Sequence, residues 1–381
     1  MNEQQLLTNA RIVTPDEVIL GTLRVEEGVI TDIDHGVTSA VGVEDLNGDF
    51  LIPGLVELHT DNLEKHFTPR PKVRWPSVPA VVAHDAQVAA AGITTVFDAV
   101  ALGDVNDGST RIKYVNDMIE AVTLAQEEQA IRAEHFLHLR CEVAYAKVLE
   151  LFEPYREHYL LRLVSLMDHS PGQRQFASLD KYREYYQGKY GLDDQEIEEF
   201  IVQQKEASMK HSRSNREQIV VQCREMGVPM ASHDDATAEH VDEAIGYGMS
   251  IAEFPTTKEA ARESRERGMK VLMGAPNLVR GGSHSGNVSA RELAEEDLLD
   301  IVSSDYFPSS LLQAAFTLHH KVEEFTLPKA ISTVTSNPAR AAGLPDRGEI
   351  SVGKRADLVR VHEYHRFPLV REVWRQGRRI Y

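Results

Sequence analysis

Side chains that bind metal ions stand at the ends of five apolar runs in the sequence. The runs end in His59-Thr60-Asp61, Arg140-Cys141-Glu142, Asp168-His169, Ser232-His233 and Ser304-Asp305. Imidazole and carboxylate groups are the ligands that borderline and hard divalent cations require. Successive side chains of a strand point to opposite faces, so His59 and Asp61 share a face and can hold one ion. We therefore expect a metal site built from six ligands: His59, Asp61, Glu142, His169, His233 and Asp305.

Each of these residues, taken alone, has a simpler interpretation. A single histidine at a strand end is more often a hydrogen-bonded structural residue. A single aspartate there usually caps the helix that follows. The capping interpretation is available for Asp305, and we adopt it for Asp234 and Asp235. Because five strand ends carry such side chains together, the joint metal site is the better explanation of the set.

Strand-like segments alternate with helix-length segments after residue 50. Eight strand candidates cover residues 55–59, 94–99, 136–143, 163–168, 228–233, 250–254, 270–275 and 300–305. Repeated alternation indicates a parallel sheet, and eight repeats favour an α/β fold with a closed (β/α)8 TIM-type barrel. Such barrels carry their chemistry at the carboxyl ends of the strands. The candidate ligands stand at those ends.

Both ends of the chain are rich in short β segments. Strand-like runs occupy residues 5–33, and similar runs return in residues 348–381. We expect residues 1–50 and 346–381 to form a small β-sandwich domain together. Residues 51–345 would form the barrel, with a helical insertion at about residues 173–219.

A barrel enzyme can bridge two metal ions with a glutamate or with a carbamylated lysine. The third strand ends in Glu142 and has no lysine, while Lys147 lies beyond it in a helical pattern. We therefore expect Glu142 to be the bridge. One ion would be held by His59, Asp61 and Asp305, and the other by His169 and His233.

Composition and charge exclude several classes of protein. The 381 residues include 41 basic and 59 acidic side chains, giving a net charge of −18, and 42% are hydrophobic. This composition is typical of a folded globular enzyme, and the acidic balance argues against nucleic-acid binding. No apolar run approaches the ~20 residues of a membrane span. The N-terminus lacks the pattern of a signal peptide, and the two cysteines cannot form a disulfide framework, so we expect a cytoplasmic protein.

Basic side chains follow several of the same strand ends. The candidates for binding an anionic substrate are Lys65, His66, Arg70, Arg140, Arg174, Arg280 and His284. Such residues also commonly pair with surface acids, and that alternative stays open for each of them. The segment Gly281-Gly282-Ser283-His284 is either a phosphate cradle or a plain mobile loop. Tyr182, Tyr185 and Tyr186 are expected to pack rather than to stack on a base.

Several motifs resemble those of the amidohydrolase superfamily of metal-dependent hydrolases. They are the lead-in Phe50-Leu51-Ile52-Pro53-Gly54, the His-x-Asp pair, Thr335-Ser336-Asn337-Pro338-Ala339 and Gly353-Lys354-Arg355-Ala356-Asp357. The resemblance implies one or two divalent ions, with zinc as first choice and manganese or iron as alternatives. Asp61 stands where most members have a second histidine, which shifts the site toward oxygen-preferring ions.

A narrower resemblance concerns diphosphatases of the carbon–phosphorus lyase pathway. It is carried by His59-Thr60-Asp61-Asn62-Leu63-Glu64-Lys65-His66-Phe67 and by Met167-Asp168-His169-Ser170-Pro171-Gly172-Gln173. It implies hydrolysis of a phosphorylated small molecule, a sugar triphosphate, with release of pyrophosphate. We expect hydroxide held between the ions to attack the phosphorus nearest the sugar, with Asp305 taking the proton.

Two other functions remain open on the sequence alone. The first is a C–N hydrolase of the same superfamily, acting on a cyclic amide, an imine or an aminated base. The second is a barrel that serves only as an interaction scaffold. The sequence leaves the oligomeric state undetermined.

Overall fold

The computed structural model describes residues 4–106, 109–176, 178–283 and 286–381. Its Cα positions group into two compact units. Unit 1 contains residues 1–98, 120–136 and 273–381, and unit 2 contains residues 99–119 and 137–272. Within the described residues, no helix combines the length and the apolar character that a membrane crossing requires.

The chain begins with five strands, the last of which is buried throughout. They are β1 (Gln4–Val13), β2 (Val18–Glu26), β3 (Val29–His35), β4 (Glu44–Asp45) and β5 (Phe50–Pro53). Strands β2 and β3 pair antiparallel and are joined by Glu27 and Gly28, which have φ angles of 51° and 78°. Positive φ at both central residues is the geometry of the tight hairpin turn that suits twisted strands.

Eight parallel strands follow in chain order. They are β6 (Leu55–Thr60), β7 (Ile93–Leu102), β8 (Glu134–Glu142), β9 (Leu161–Met167), β10 (Met230–His233), β11 (Ile251–Glu253), β12 (Lys270–Gly274) and β13 (Ile301–Ser303). They form one sheet in that order, and a parallel bridge between Thr60 and Asp305 links its first and last members. Each predicted strand overlaps one of these, and the prediction of an α/β fold with a TIM-type barrel is confirmed. All ten residues of β7 are buried, as expected for a parallel strand covered on both faces.

Helices lie between the parallel strands and after the last of them. They are α1 (Asn62–Phe67), α2 (Ser77–Ala90), α3 (Thr110–Glu127), α4 (Val148–Phe152), α5 (Leu179–Tyr190), α6 (Asp194–Met226), α7 (Ala238–Gly246), α8 (Lys258–Glu266), α9 (Ala275–Arg280), α10 (Ala290–Glu295), α11 (Ser310–Lys321), α12 (Leu327–Ser332) and α13 (Ser336–Ala341). Two 3-10 turns cover Glu153–Tyr155 and Arg174–Phe176.

The chain ends in three strands that join those of the N-terminus. These are β14 (Leu358–Tyr364), β15 (Phe367–Arg375) and β16 (Arg378–Arg379). The sheet order is β16-β15-β14-β5-β1-β2-β3, with β4 paired to β1. Buried side chains from both termini, including Leu23, Leu358 and Trp374, share one hydrophobic core. Both termini therefore build one β module, while its boundaries near residues 50 and 346 stay a prediction.

The segment after β9 is helical, as its polar helical pattern predicted. Helix α6 begins with a capping box: Asp193 accepts the backbone N–H of Glu196 at 2.8 Å, and Glu196 accepts that of Asp193 at 2.9 Å. Gly191 and Gly227 end α5 and α6 in the left-handed conformation. Tyr182 and Tyr186 are buried in a core with Phe176, Ile197 and Ile201, whereas Tyr185 is half exposed. The expected packing role is thus confirmed for Tyr182 and Tyr186.

Candidate metal centre

Glu142 and His169 are paired at the ends of neighbouring strands in unit 2. Glu142 is the last residue of β8, and His169 follows two residues after β9 ends. Glu142 Oε2 lies 2.6 Å from His169 Nδ1, and Glu142 Oε1 accepts the backbone N–H of His169 at 3.2 Å. Burial disfavours charge on His169, but the Glu142 carboxylate and Asp234 raise the pKa of His169 to about 9. This contact leaves Nε2 of His169 available to a third group.

Asp234 is that third group. Its Oδ2 lies 3.7 Å from His169 Nε2 and 3.5 Å from His233 Nε2. The two imidazole rings are nearly perpendicular, at 84°, and ligand atoms of all three residues lie within 4.8 Å of one another. Two imidazoles and one carboxylate are a donor set that a divalent cation such as zinc accepts.

The helix-capping interpretation of Asp234 and Asp235 is wrong. Helix α7 is capped by Thr237, whose hydroxyl accepts the backbone N–H of His240. Asp234 instead has a φ of 58°, and its N–H donates to the carbonyl of Glu253 at 2.9 Å. That left-handed conformation is uncommon outside glycine, asparagine and aspartate. The sequence signal for Asp234 was its position directly after His233 at a strand end.

A buried carboxylate behind the histidines also escaped the sequence analysis. Glu253, at the end of β11, lies 3.2 Å from His233 Nδ1 and 3.8 Å from His138 Nε2. Burial opposes ionisation of Glu253, yet the charges of His138 and His233 hold its pKa below the ordinary value. A carboxylate on one ring nitrogen commonly orients a metal-binding histidine through the other. His138 precedes Glu142 by four residues on β8, so the two-residue period of a strand could have revealed it.

Arg140 lies on the same face of β8, between His138 and Glu142. It is buried, and among the described residues its Nε has no hydrogen-bond partner. An unsatisfied buried guanidinium N–H is costly, and an anionic ligand would satisfy it. Contact between Arg140 and substrate stays a prediction, and so does the bridging role of Glu142.

Arg174 is held by acidic side chains. It is buried, donates to Asp235 and donates to Glu243 Oε2 at 2.8 Å. Arg216 donates to the other oxygen of Glu243, also at 2.8 Å. This network of ion pairs stabilises the fold of unit 2. A contact between Arg174 and substrate stays a prediction.

In unit 1, backbone hydrogen bonds hold together the strand ends that carry His59, Asp61 and Asp305. The N–H of Asp305 donates to the His59 carbonyl at 3.1 Å, and the N–H of Asp61 donates to the Asp305 carbonyl at 3.2 Å. The hydroxyl of Thr60 donates to the same carbonyl at 2.8 Å. Three of the six predicted metal ligands therefore come from two adjoining strand ends.

The buried side chain of Glu57 links the same two strand ends by hydrogen bonds. Its carboxylate accepts the N–H of His59 at 2.7 Å and the N–H of Ser304 at 2.6 Å. Burial raises the pKa of Glu57 to about 7 despite those bonds. Glu57 was not among the residues expected at the site, and its contacts make it a positioning residue for His59.

Three other predicted substrate-binding residues, Lys65, His66 and Arg70, lie in unit 1, as does Arg280. Lys65 donates to the Tyr306 carbonyl, and His66 Nε2 lies 3.1 Å from Gln87 Oε1. Arg70 and Arg280 are exposed. His284 lies outside the described residues.

A second group of buried histidines in unit 1 forms a chain of hydrogen bonds with two aspartates. Asp98 lies 2.8 Å from His84 Nε2 and 2.7 Å from His135 Nδ1, and Asp85 lies 3.4 Å from His135 Nε2. Burial opposes charge on His135, but the carboxylates of Asp98 and Asp85 raise its pKa to about 9. Although these residues are metal-competent, separations of 2.7–2.8 Å are those of direct hydrogen bonds. The group therefore has the geometry of a buried ion-pair chain.

A parallel eight-stranded barrel with histidines and carboxylates at its strand ends defines the class of amidohydrolase-like barrel proteins. The chain belongs to the Amidohydrolase family, whose model matches residues 86–381. The resemblance noted from the strand-end motifs is therefore confirmed.

One curated protein and two solved structures illustrate what the chain is similar to. The chain is 52% identical over 377 residues to alpha-D-ribose 1-methylphosphonate 5-triphosphate diphosphatase of Escherichia coli (strain K12), covering 99% of this chain and 100% of that protein. In structure it is similar to 5-methylcytosine deaminase from Klebsiella pneumoniae, with a TM-score of 0.66, 17% identity and coverage of 99% and 98%. It is also similar to N-acetyl-D-glucosamine-6-phosphate deacetylase from Mycobacterium smegmatis, with a TM-score of 0.64, 16% identity and coverage of 99% for both chains. The two structural likenesses concern the fold alone.

Proposed function

We propose that this protein hydrolyses α-D-ribose 1-methylphosphonate 5-triphosphate to α-D-ribose 1-methylphosphonate 5-phosphate and pyrophosphate. The observation that carries the proposal is the 52% sequence identity to the Escherichia coli diphosphatase over 377 residues. The histidine and carboxylate clusters at the strand ends support it, because phosphoanhydride hydrolysis depends on positioning and charge stabilisation.

One or two divalent cations fit the residues present. In unit 2 the holders would be His169, His233 and Asp234, and in unit 1 they would be His59, Asp61 and Asp305. When bound, such a cation lowers the pKa of water from 15.7 toward about 7 and offsets phosphate charge. Zinc is the first candidate, with manganese or iron as alternatives, because imidazole suits all three while carboxylates favour manganese.

The protein side chains move the proton and hold the leaving group. Water attacks the phosphorus nearest the sugar, and Asp305 accepts the proton that the water loses. The bond from that phosphorus to the bridging oxygen breaks, and pyrophosphate leaves with the electron pair. Arg140 would stabilise the charge that develops on the phosphates, since its buried Nε has no hydrogen-bond partner among the described residues.

Hydrolysis in water labelled with oxygen-18 tests the proposal directly. Purified protein with added zinc, manganese or iron is incubated with the sugar triphosphate, and products are followed by phosphorus NMR. We expect equal amounts of pyrophosphate and sugar 5-phosphate, with the label in the sugar 5-phosphate. Label in pyrophosphate would show that water attacks the middle phosphorus instead. Orthophosphate as first product, or hydrolysis only of amides and aminated bases, would contradict the function itself.

The domain division and the location are part of the proposal. Residues 1–50 and 346–381 would form the small β domain, and residues 51–345 the catalytic barrel with its insertion. Cys141 and Cys223 are both free and buried, which supports the reducing environment of the cytoplasm.

A further inference from the structure

A cavity of about 530 Å³ lies in unit 2 beside the end of β8. Its wall is formed by the segment after β7, the segment after β8 and the helical insertion, and includes Glu142. We call it the insertion pocket. Its volume is within the range of small-molecule sites, roughly 300–1,000 Å³. Since Glu142 also contacts His169, the pocket adjoins the candidate metal ligands of this unit.

The charge of the insertion pocket does not suit a triphosphate. Among the described residues that line it, Lys147 is the only cation, while Asp104 and Glu142 are carboxylates. A triphosphate needs several cationic partners, and carboxylates beside it would repel it. A ligand with one negative charge and several hydroxyl groups matches this wall better.

The remaining wall offers hydrogen bonds and an apolar face. Asn106 and Gln203 present side-chain amides, and the rings of Tyr190 and Phe200 lie 6.1 Å apart at 74°. The Tyr190 hydroxyl is buried and has no hydrogen-bond partner among the described residues. Such a group is costly unless a ligand satisfies it. Amides, a carboxylate and an aromatic face together are suited to the hydroxyls and the C–H face of a sugar.

We infer that the insertion pocket binds the sugar and phosphonate end of the substrate, with Lys147 as the partner of the phosphonate. This inference rests on the proposed function. A phosphonate monoester carries one negative charge at neutral pH, which one ammonium group matches. The triphosphate then lies outside the pocket, and the helical insertion determines which sugar triphosphates are accepted.

Lys147→Met tests this assignment with two substrates. One is ribose 1-methylphosphonate 5-triphosphate, and the other is ribose 5-triphosphate, which lacks the phosphonate. We expect the KM for the first to rise about tenfold, as loss of one charge-assisted contact implies. The kcat for the first and the KM for the second should stay within twofold of the wild-type values. Lys147 is exposed and its side chain makes no capping bond to α4, so the variant should fold normally.

Lys205→Met is the matched control. Lys205 follows Gln204 on α6 and is exposed, but it does not line the pocket. Its substitution should leave both KM values unchanged. Tyr190→Phe, which removes only the hydroxyl, should raise the KM for both substrates, because both contain the ribose.

Failure of the inference can be told from failure of the proposed function. If the wild type releases pyrophosphate but Lys147→Met changes neither KM, or changes both equally, the phosphonate assignment is wrong. If the wild type releases no pyrophosphate from either substrate, the proposed function is wrong.

Discussion

Glu142 contacts His169 twice, through its Oε2 to the imidazole Nδ1 at 2.6 Å and through its Oε1 to the backbone N–H at 3.2 Å. The double contact fixes both the ring and the backbone of His169. It directs Nε2 toward Asp234, which lies 3.7 Å away. Glu142 therefore orients a candidate metal ligand, in addition to any ligand role of its own.

Glu142→Gln should lower both metal affinity and turnover. The amide keeps the shape of the side chain but loses the charge that holds the His169 imidazole. Loss of such an orienting carboxylate typically costs 10- to 100-fold in metal affinity or activity. Metal content by mass spectrometry and pyrophosphate release measure the two effects. Glu157→Gln is a control on an exposed glutamate, and the same loss in both variants would contradict the account.

Asp234→Asn and Asp235→Asn should have different effects, although the two residues are neighbours. Asp234 faces two imidazoles, so its substitution should reduce metal content and should change the unfolding free energy of the metal-free protein less than Asp235→Asn does. Asp235 pairs with buried Arg174, so its substitution should cost about 3 kcal/mol of unfolding free energy. Metal analysis and urea unfolding separate the effects. Equal metal content in Asp234→Asn and wild type would remove Asp234 from the ligand set.

Asp305→Asn should reduce kcat by several orders of magnitude and leave the fold intact. Asp305 has a φ of 56°, a conformation that asparagine tolerates as well as aspartate. Its backbone bonds to His59 and Asp61 do not involve the carboxylate. The substitution removes the ability to accept a proton and also weakens Asp305 as a proposed metal ligand, so metal content is measured beside kcat. Steady-state kinetics with circular dichroism checks this, and wild-type turnover in the variant would exclude Asp305 as the base.

The His135 ion-pair chain predicts a decline of stability in alkaline solution. His135 faces Asp98 and Asp85, with the His84 ring 5.7 Å away, and its folded pKa of about 9 exceeds the ordinary value of 6.5. The charged pair thus contributes fully below pH 6.5, and its contribution is lost as the pH rises through 9. The contribution lost is on the order of 3 kcal/mol.

Urea unfolding of metal-free protein between pH 6.5 and 9.5 measures that decline. His135→Gln should be less stable at pH 6.5 and should lack most of the decline. His35→Gln, at an exposed histidine of β3, should keep it. A decline of equal size in His135→Gln would assign the effect to other groups.

The strands of the barrel were predictable because each one is a short apolar run that alternates with a helix-length segment. The candidate metal ligands could be recognised because barrels of this kind carry their active-site residues at the carboxyl ends of the strands. Asp234 was misinterpreted because the left-handed backbone that turns it toward the histidines cannot be deduced from the local sequence.

Two further features depend on contacts between distant parts of the chain. Glu253 meets His138 and His233 from a different strand, and Arg174 meets Glu243 from a helix 69 residues away. Such long-range contacts determine whether a basic side chain pairs with a carboxylate of the protein or stays available to bind substrate. The sequence supplies the residue types but not their partners.

Anomalous diffraction would locate metal ions bound at the strand ends of unit 2. Crystals of active protein reconstituted with zinc or manganese would be measured at the absorption edge of the metal. We expect an anomalous peak within bonding distance of His169 Nε2 and His233 Nε2. Active crystals that show no peak there, or that place their only ions elsewhere, would contradict the assignment of a metal centre to these strand ends.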